Sequence, residues 1–452
     1  METLTTALKK VYTPDVLVCG LGPAGISAAV AAAREGAQVL GIEKCAFAGG
    51  NITNANVIGV CGAADQFTGR LVVGGITREL LKRSAFLRDP VDYDRMTPLC
   101  EVDLDKQIVY PFVAKADNLT HPNFVSMIYD AELFKYAADR ILVENRVQVL
   151  FHSFVCETKT NGNRITEVII ANKDGLSVIR PKTVVDCTGD ADVAAWSGVP
   201  YDIRPEFMQS GTTMFVCGNV KYDDYSVLKV RCIEAFAQAQ KDGIKIKMFG
   251  PAVGRLRKGV INFNLTRIPY NQTVAAEYSQ AEIDSRGEIQ KAFDVLKNYL
   301  PEFADSYILY SGPQIGARET RHIHGEYRLM AKDVADGKDF TDGIGMAGCP
   351  IDFHDPTKMG AKCGGVLEYV RAYKIPYRTL VPLKISNLLV AGRSHSAEQL
   401  AAASTRVAPT CSVMGEAAGT AAAMTVKYGV TASEVNVPEL QDRLRAAGGI
   451  LE

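Results

Sequence analysis

The chain has 452 residues, with 50 Lys and Arg against 51 Asp and Glu and a net charge of −1. That balance supplies no global field for nucleic acid or an anionic membrane, and one compact core stops growing near about 250–300 residues, so two or more domains are expected. Apolar residues at 47% and charged residues at 22% read as an ordinary globular composition rather than a disordered or membrane-spanning one.

In chain order, METLTTALKK lacks an apolar stretch of signal type, so a cytoplasmic protein is expected. The eleven cysteines form no C-x-x-C. They read as reduced thiols, and the spacing argues against a dithiol motif and against clustered iron–sulfur ligation. The most apolar window, around 15–42, is broken by Gly and Pro and carries Arg34 and Glu35, which excludes a membrane span.

DVLVCG (15–20) reads as a strand, a helix starts at Pro23, and AQVLGIE (37–43) reads as the next strand. Gly20-x-Gly22-x-x-Gly25 sits at the strand-to-helix turn of this β–α–β unit, with Pro23 and Ala24 between its second and third glycines. The first glycine allows the turn and the second admits a pyrophosphate. The third lets helix and strand pack closely. The helix N-terminus faces the phosphates with a partial positive charge. Glu43 ends the second strand, where a carboxylate accepts from a ribose hydroxyl. This unit is expected to bind a dinucleotide, the alternative being a glycine turn used only for packing, and by itself it leaves NAD and FAD open.

Further along lie KCAFAGGNIT (44–53), a strand-like LFHSFVCETK (150–159), and TVVDCTGDADVAAWSGV (183–199), a strand run that breaks at Thr188-Gly189-Asp190. TTMFVCG (212–218) reads as a strand and AEIDSRGEIQKAFDVLKNYL (281–300) as a helix. NLLVAGRSHS (387–396) is a strand ending in glycine, followed by the Ala/Gly-rich helix APTCSVMGEAAGTAAAM (408–424). The tail over 434–452 reads as an amphipathic helix with Leu440, Leu444 and Ala447 on one face.

Together these segments resemble the FAD-dependent oxidoreductase family with the glutathione-reductase-like flavin fold. The resemblance extends to Arg318-Glu-Thr-Arg321-His-Ile323-His-Gly325-Glu-Tyr327 and to the N-L-L-V-A-G-R of 387–393. It implies an α/β architecture: a Rossmann-like FAD-binding domain, discontinuous over 1–200 plus 375–430, with 86–124 an irregular excursion. An inserted α+β substrate domain would occupy 201–374 and a C-terminal helix 431–452.

The cofactor implied is FAD. Gly20, Gly22, Pro23, Ala24 and Gly25 would hold the pyrophosphate, and Glu43 with Lys44 the adenosine ribose. Gly49, Gly50, Asn51 and Thr53 would line the phosphate and ribityl side, and Val155 the adenine. Thr188, Gly189 and Asp190 would close the adenosine end, with Gly392 and Arg393 near the ribityl chain. The helix from Thr410 and Ser412 would point its N-terminus at the flavin pyrimidine, where reduced flavin carries negative charge.

The chemistry is expected from residues facing the flavin ring. His395 is the candidate proton carrier, and His322 a second histidine candidate for moving a proton. Arg318, Arg321 and Arg406 are anion-binding candidates, able to clamp a carboxylate or, alternatively, to pair with acids across a domain interface. His322-x-His324 has ligand spacing, but only His354 offers a third ligand, so no metal is expected. Cys45 and Cys411 flank the expected flavin contacts and read as small buried thiols.

The implied activity is hydride transfer between flavin N5 and a small organic substrate, with a further electron acceptor or donor and a homo-oligomer left open. Hydroxylases of this fold usually carry Gly-Asp where this chain has Gly392-Arg393. A flavin-dependent hydroxylase of an aromatic substrate is the alternative. A disulfide reductase needs a redox-active cysteine pair, and no spacing shows one. A flavin-dependent RNA-modifying or assembly protein would want a basic face, which the charge balance does not supply.

Overall fold

Val16–Cys19 and Thr183–Asp186 are buried along their whole length because both faces of their sheet are covered. Val16, Val18 and Val185 face a helical core, while Leu17, Cys19 and Val184 face a cluster with Ile165, Val168, Ile170 and Ile179. The computed structural model describes residues 8–85, 100–103, 108–111, 126–128, 130–358 and 366–452. Its central sheet is parallel, in the order Leu388–Val390, Thr183–Asp186, Val16–Cys19, Val39–Ile42, Gln148–Leu150. Strands nearly four hundred residues apart in sequence therefore share one sheet, and their C-terminal ends present their loops to one edge. The expected strand over 150–159 divides, because the chain turns at Phe151–Ser153 with His152 at φ 51°. Phe154–Asn161 then joins an antiparallel sheet with Arg164–Asn172 and Gly175–Ile179. The excursion expected over 86–124 lies outside the described residues, apart from a hairpin pairing Cys100–Asp103 with Ile108–Pro111.

The helix Pro23–Arg34 is rich in alanine and packs lengthwise on the long helix Ala408–Tyr428. A Cβ at Gly415 would lie 2.0 Å from the Ala24 carbonyl oxygen, and one at Gly419 2.1 Å from that of Ala28. Only glycine permits this approach. Ser412 Oγ crosses the same seam, within 2.6 Å of Ser27 Oγ and 2.8 Å of Thr77 Oγ1. One turn on, the buried Glu416 accepts from the Ile76 N–H at the start of the helix Gly75–Ala85 (3.0 Å), while its second oxygen has no partner. Burial pushes its carboxyl up to about 7.

Between Thr183–Asp186 and Leu388–Val390 the chain builds a second apolar core. An antiparallel sheet in the order Met248–Arg257, Val260–Thr266, Phe215–Gly218, Tyr307–Ser311 contributes one side. The helices Tyr225–Lys241, capped by Asp224, and Ala275–Tyr299 contribute the other. Phe215 and Phe263 stack at its centre with ring centroids 5.1 Å apart. The second helix begins six residues before the expected 281. At the C-terminus Val437–Ala446 is helical with Leu440 and Leu444 buried. Ala447, expected on the same face, is exposed, because it caps the helix where the chain leaves it.

Among the described residues no helix is long and apolar enough to cross a membrane.

Candidate active site

The loop from Val16–Cys19 into the helix at Pro23 fits a pyrophosphate. Gly22 has φ −70°, open to any residue, and a Cβ there would come no closer than 3.6 Å to the Gly50 backbone, an ordinary contact. Neither backbone nor packing within the chain demands glycine at 22, which leaves the approach of a ligand as its reason. Gly25 differs: a Cβ there would lie 1.8 Å from the Gly20 carbonyl oxygen. No side chain caps the helix at Pro23, so its first-turn N–H groups face the space above Gly22. Gly49 donates to the Leu21 carbonyl (2.8 Å), bringing the second glycine loop over the first.

Glu43 is buried and already holds the turn. Its oxygens accept from Leu21 N–H (2.8 Å) and Cys45 N–H (3.0 Å). A carboxylate keeps further lone pairs for a ribose hydroxyl. Thr53 Oγ1 is turned inward to the Ala48 and Gly50 carbonyls, at 3.0 and 3.2 Å. Val155 pairs with Ile170 and packs against the apolar cluster beneath the sheet. At the far end, the helix Ala408–Tyr428 also lacks a side-chain cap, and Thr410 Oγ1 is fully buried with no partner. An orphaned hydroxyl at an uncapped N-terminus is what the pyrimidine edge of a flavin would satisfy. The residues present therefore fit FAD.

Thr188-Gly189-Asp190, expected at the adenosine end, and Gly392-Arg393, expected near the ribityl chain, are in contact because their strands are neighbours. Arg393 Nη2 lies 3.1 Å from Asp190 Oδ1, and Arg393 Nη1 donates to Ala317 O at 3.1 Å. Asn51 Nδ2 donates to the same carbonyl at 2.8 Å. Asp190 also accepts from Thr320 Oγ1 (2.8 Å) and Gln272 Nε2 (2.6 Å). Burial raises the Asp190 carboxyl, but Arg393, Lys44 and these donors outweigh it and hold it below the usual carboxylate range.

The two arginines of the 318–327 stretch separate. Arg321 pairs with Asp192 (2.8 Å), donates to Asp190 O (2.9 Å) and lies over the Tyr201 ring. It takes the interface role rather than the anion-binding one. Burial, with Asp190 and Asp186 nearby, raises Asp192 to about 6 in spite of that pairing.

Arg318 is buried and donates only to neutral oxygens, the Ser210 carbonyl and Thr212 Oγ1. Among the described residues no carboxylate lies within 4 Å of it. Burial, together with the cations Arg267 and Arg406, pushes its pKa well below the usual value. Arg406 Nη2 donates to Asp352 O (2.8 Å) and approaches Oδ2 (3.4 Å), while its Nε has no partner. Asp352 also pairs with His354 Nε2 (3.1 Å). Burial acts upward on Asp352, but His354, Arg406 and Arg318 hold it well below its usual range. Burial and then Arg318 push His354 down to about 3, against the pull of Asp352, so its imidazole is neutral. Asp352 and His354 complete the cluster. Their signal in the sequence is the Asp352-x-His354 spacing, which gains meaning only once Arg318 is brought to it.

His395 does not suit the proton-carrying role expected of it. It is fully buried, its Nε2 lies 2.8 Å from Thr405 Oγ1, and burial followed by the nearby His322 pushes it down to about 3. A neutral, enclosed imidazole fixes the loop between Gly392 and the helix Gln399–Thr405. His322 is also buried, 3.8 Å from Glu319, and lines a shallow surface depression with Asp202, Arg204, Glu319, Arg328 and Gln399. His324 turns to Asp202 at 3.0 Å, so the two histidines of the spacing face different acids. The Cys45 thiol faces Gln314 Oε1 at 3.7 Å and Cys411 the Arg406 carbonyl at 3.2 Å, each pushed up to about 12, chiefly by burial.

The family described as FAD dependent oxidoreductase matches residues 15–444. No curated protein matches the chain. Among solved structures, it is similar to a geranylgeranyl bacteriochlorophyll reductase-like protein from Thermoplasma acidophilum at 12% identity and a TM-score of 0.50, covering 97% of this chain and 85% of that one. It is also similar to the flavin-dependent brominase Bmp2 (13%, 0.48, 95% and 83%). A third is p-nitrophenol 4-monooxygenase PnpA from Pseudomonas putida DLL-E4 (13%, 0.47, 97% and 86%).

Proposed function

The chain belongs to the FAD dependent oxidoreductase family, and from that premise we propose that it transfers a hydride between flavin N5 and a small organic acid held by Arg318 and Arg406. The observation that carries the reading is Arg318, a buried guanidinium whose donors meet only neutral oxygens. Asp352 is the nearby acid whose charge reaches Arg318, and it is shared with Arg406 and His354 without contacting Arg318. A buried guanidinium with no direct carboxylate partner is costly, and a substrate carboxylate would supply one in the bidentate geometry arginine favours.

FAD, when bound, supplies a two-electron acceptor or donor at N5. The protein's own residues orient, hold and exclude. Gly22, Gly50 and the N-terminus at Pro23 hold the pyrophosphate. Glu43 takes the ribose, and Thr410 with the N-terminus at Ala408 takes the pyrimidine edge. Asp190 and Arg393 tie the flavin side to the inserted segment, which we read as the substrate domain over 201–374. Asp352 orients Arg406 through its carbonyl and carboxylate and keeps the cluster from excess positive charge, while the neutral His354 holds Asp352.

The test is an anaerobic screen of the FAD-loaded protein with small organic acids and with the corresponding amides or esters. Bleaching of the flavin by an acid but not by its neutral analogue is expected. Bleaching by neutral compounds alone removes the anion-binding reading. Oxygen-dependent NADPH consumption with hydroxylation of an aromatic compound replaces hydride transfer with monooxygenation.

A further inference from the structure

The lack of C-x-x-C pointed away from a dithiol, yet the fold brings together two cysteines 288 residues apart in sequence. Cys61 Sγ and Cys349 Sγ are 3.8 Å apart. Cys61 ends the strand Gly59–Cys61, and Cys349 follows Gly343–Ala347 on the loop leading to Asp352. The pair adjoins the active site. A Cβ on Gly62, next to Cys61, would meet Val407 Cγ2 at 2.7 Å and Cys349 Cβ at 3.0 Å, and Val407 is the N-cap of the helix Ala408–Tyr428. The charges of Asp352 and Arg406 both reach Cys349. Its backbone is fixed from the other side, where Ser404 Oγ donates to Cys349 O (2.5 Å) and bonds Tyr373 OH. Cys61 is half-buried and Cys349 fully buried.

We propose that Cys61 and Cys349 are a reversible dithiol–disulfide couple that exchanges two electrons with the bound flavin. On oxidation each thiol gives up a proton, one S–S bond forms between Cys61 Sγ and Cys349 Sγ, and two electrons leave. The oxidised flavin is the acceptor and takes up two electrons with two protons, so the exchange balances without a further reagent. The sulfurs start at contact distance, and torsions of the two side chains bring them to the ~2.0 Å of a disulfide. The couple gives the enzyme a site for electrons in addition to the substrate pocket, and goes beyond the hydride transfer proposed above.

The test uses the full-length FAD-loaded protein. Treatment with diamide, followed by alkylation and peptide mass mapping, is expected to show a Cys61–Cys349 cross-linked peptide in wild type and none in Cys61→Ser or Cys349→Ser. Absence of that peptide from wild type overturns the proposal. In the second arm, diamide is removed and the flavin of the disulfide form is photoreduced without oxygen. In the dark, the flavin absorbance is expected to recover as two thiols appear per chain. Cys61→Ser, checked by thermal melting for an intact fold, should keep its flavin reduced. Wild-type flavin that stays reduced beside an intact disulfide, or that recovers no faster than in Cys61→Ser, overturns electron exchange.

Discussion

Asn51 and Arg393 donate to the same carbonyl oxygen, that of Ala317, from 2.8 and 3.1 Å. One follows the second glycine loop and the other follows the last strand of the sheet, so residues over three hundred positions apart fix the start of the stretch carrying Arg318. The position of the proposed anion-binding group therefore depends on the cofactor-side loops.

Asp190 and Arg393 hold this joint by charge. Both side chains are largely buried, at 7% and 14% exposure, and removing one partner of such a pair costs about 3–5 kcal/mol. Asp190→Ala is expected to lower denaturant stability by that order. A cycle with Arg393→Gln should show that the double variant loses less than the two single losses combined. Additive losses would show that the pair is uncoupled.

Gly22 and Gly25 should respond in opposite ways. A Cβ at Gly22 meets nothing closer than 3.6 Å in the chain, so Gly22→Asp is expected to leave the apoprotein's melting temperature nearly unchanged while abolishing FAD retention, because a carboxylate would face the pyrophosphate. Gly25→Ala places a methyl 1.8 Å from Gly20 O and is expected to destabilise the apoprotein itself. Flavin content and apoprotein melting, measured on both, separate a ligand-facing glycine from a packing one.

Arg318→Gln keeps a donor for Thr212 and removes the charge. Loss of a charge-assisted bidentate contact should raise KM for an acid substrate by roughly 10²-fold, about 3 kcal/mol, with flavin content unchanged. An unaltered KM would return Arg318 to a purely structural role.

Glu416 gives a pH signature. Its folded carboxyl titrates near 7 against an ordinary 4.5, so between these values the folded state holds a proton that the unfolded chain has released. Stability accordingly falls as pH rises from about 4.5 to 7, by on the order of 3 kcal/mol in all. Glu416→Gln should be more stable than wild type at pH 8 and no more stable at pH 4, measured by urea unfolding. Parallel curves at both pH values would remove the burial effect.

The strand–helix–strand opening and the Ala/Gly-rich helix at 408 were legible in the sequence because parallel strands and thin helices leave local patterns. Element ends were less so: His152 breaks a strand whose apolar residues continue past it, and Ala447 lies one residue beyond the helix whose periodicity it matches. The separate fates of Arg318 and Arg321 had no local signal. Both belong to one motif, and only the fold sets Asp192 beside one and Arg406 beside the other. Cys61 and Cys349 were hidden for the same reason, since contact between distant segments leaves no trace in spacing.

The glycine seam at Gly415 and Gly419 works as a ruler. With the carbonyls of Ala24 and Ala28 seated in these notches, a slide of the two helices by even one residue would drive a side chain into main chain. The span from the N-terminus at Pro23 to that at Ala408 is thus set by interlocking backbone rather than by adjustable side chains, so a long ligand stretched between them would meet anchors at a constant separation.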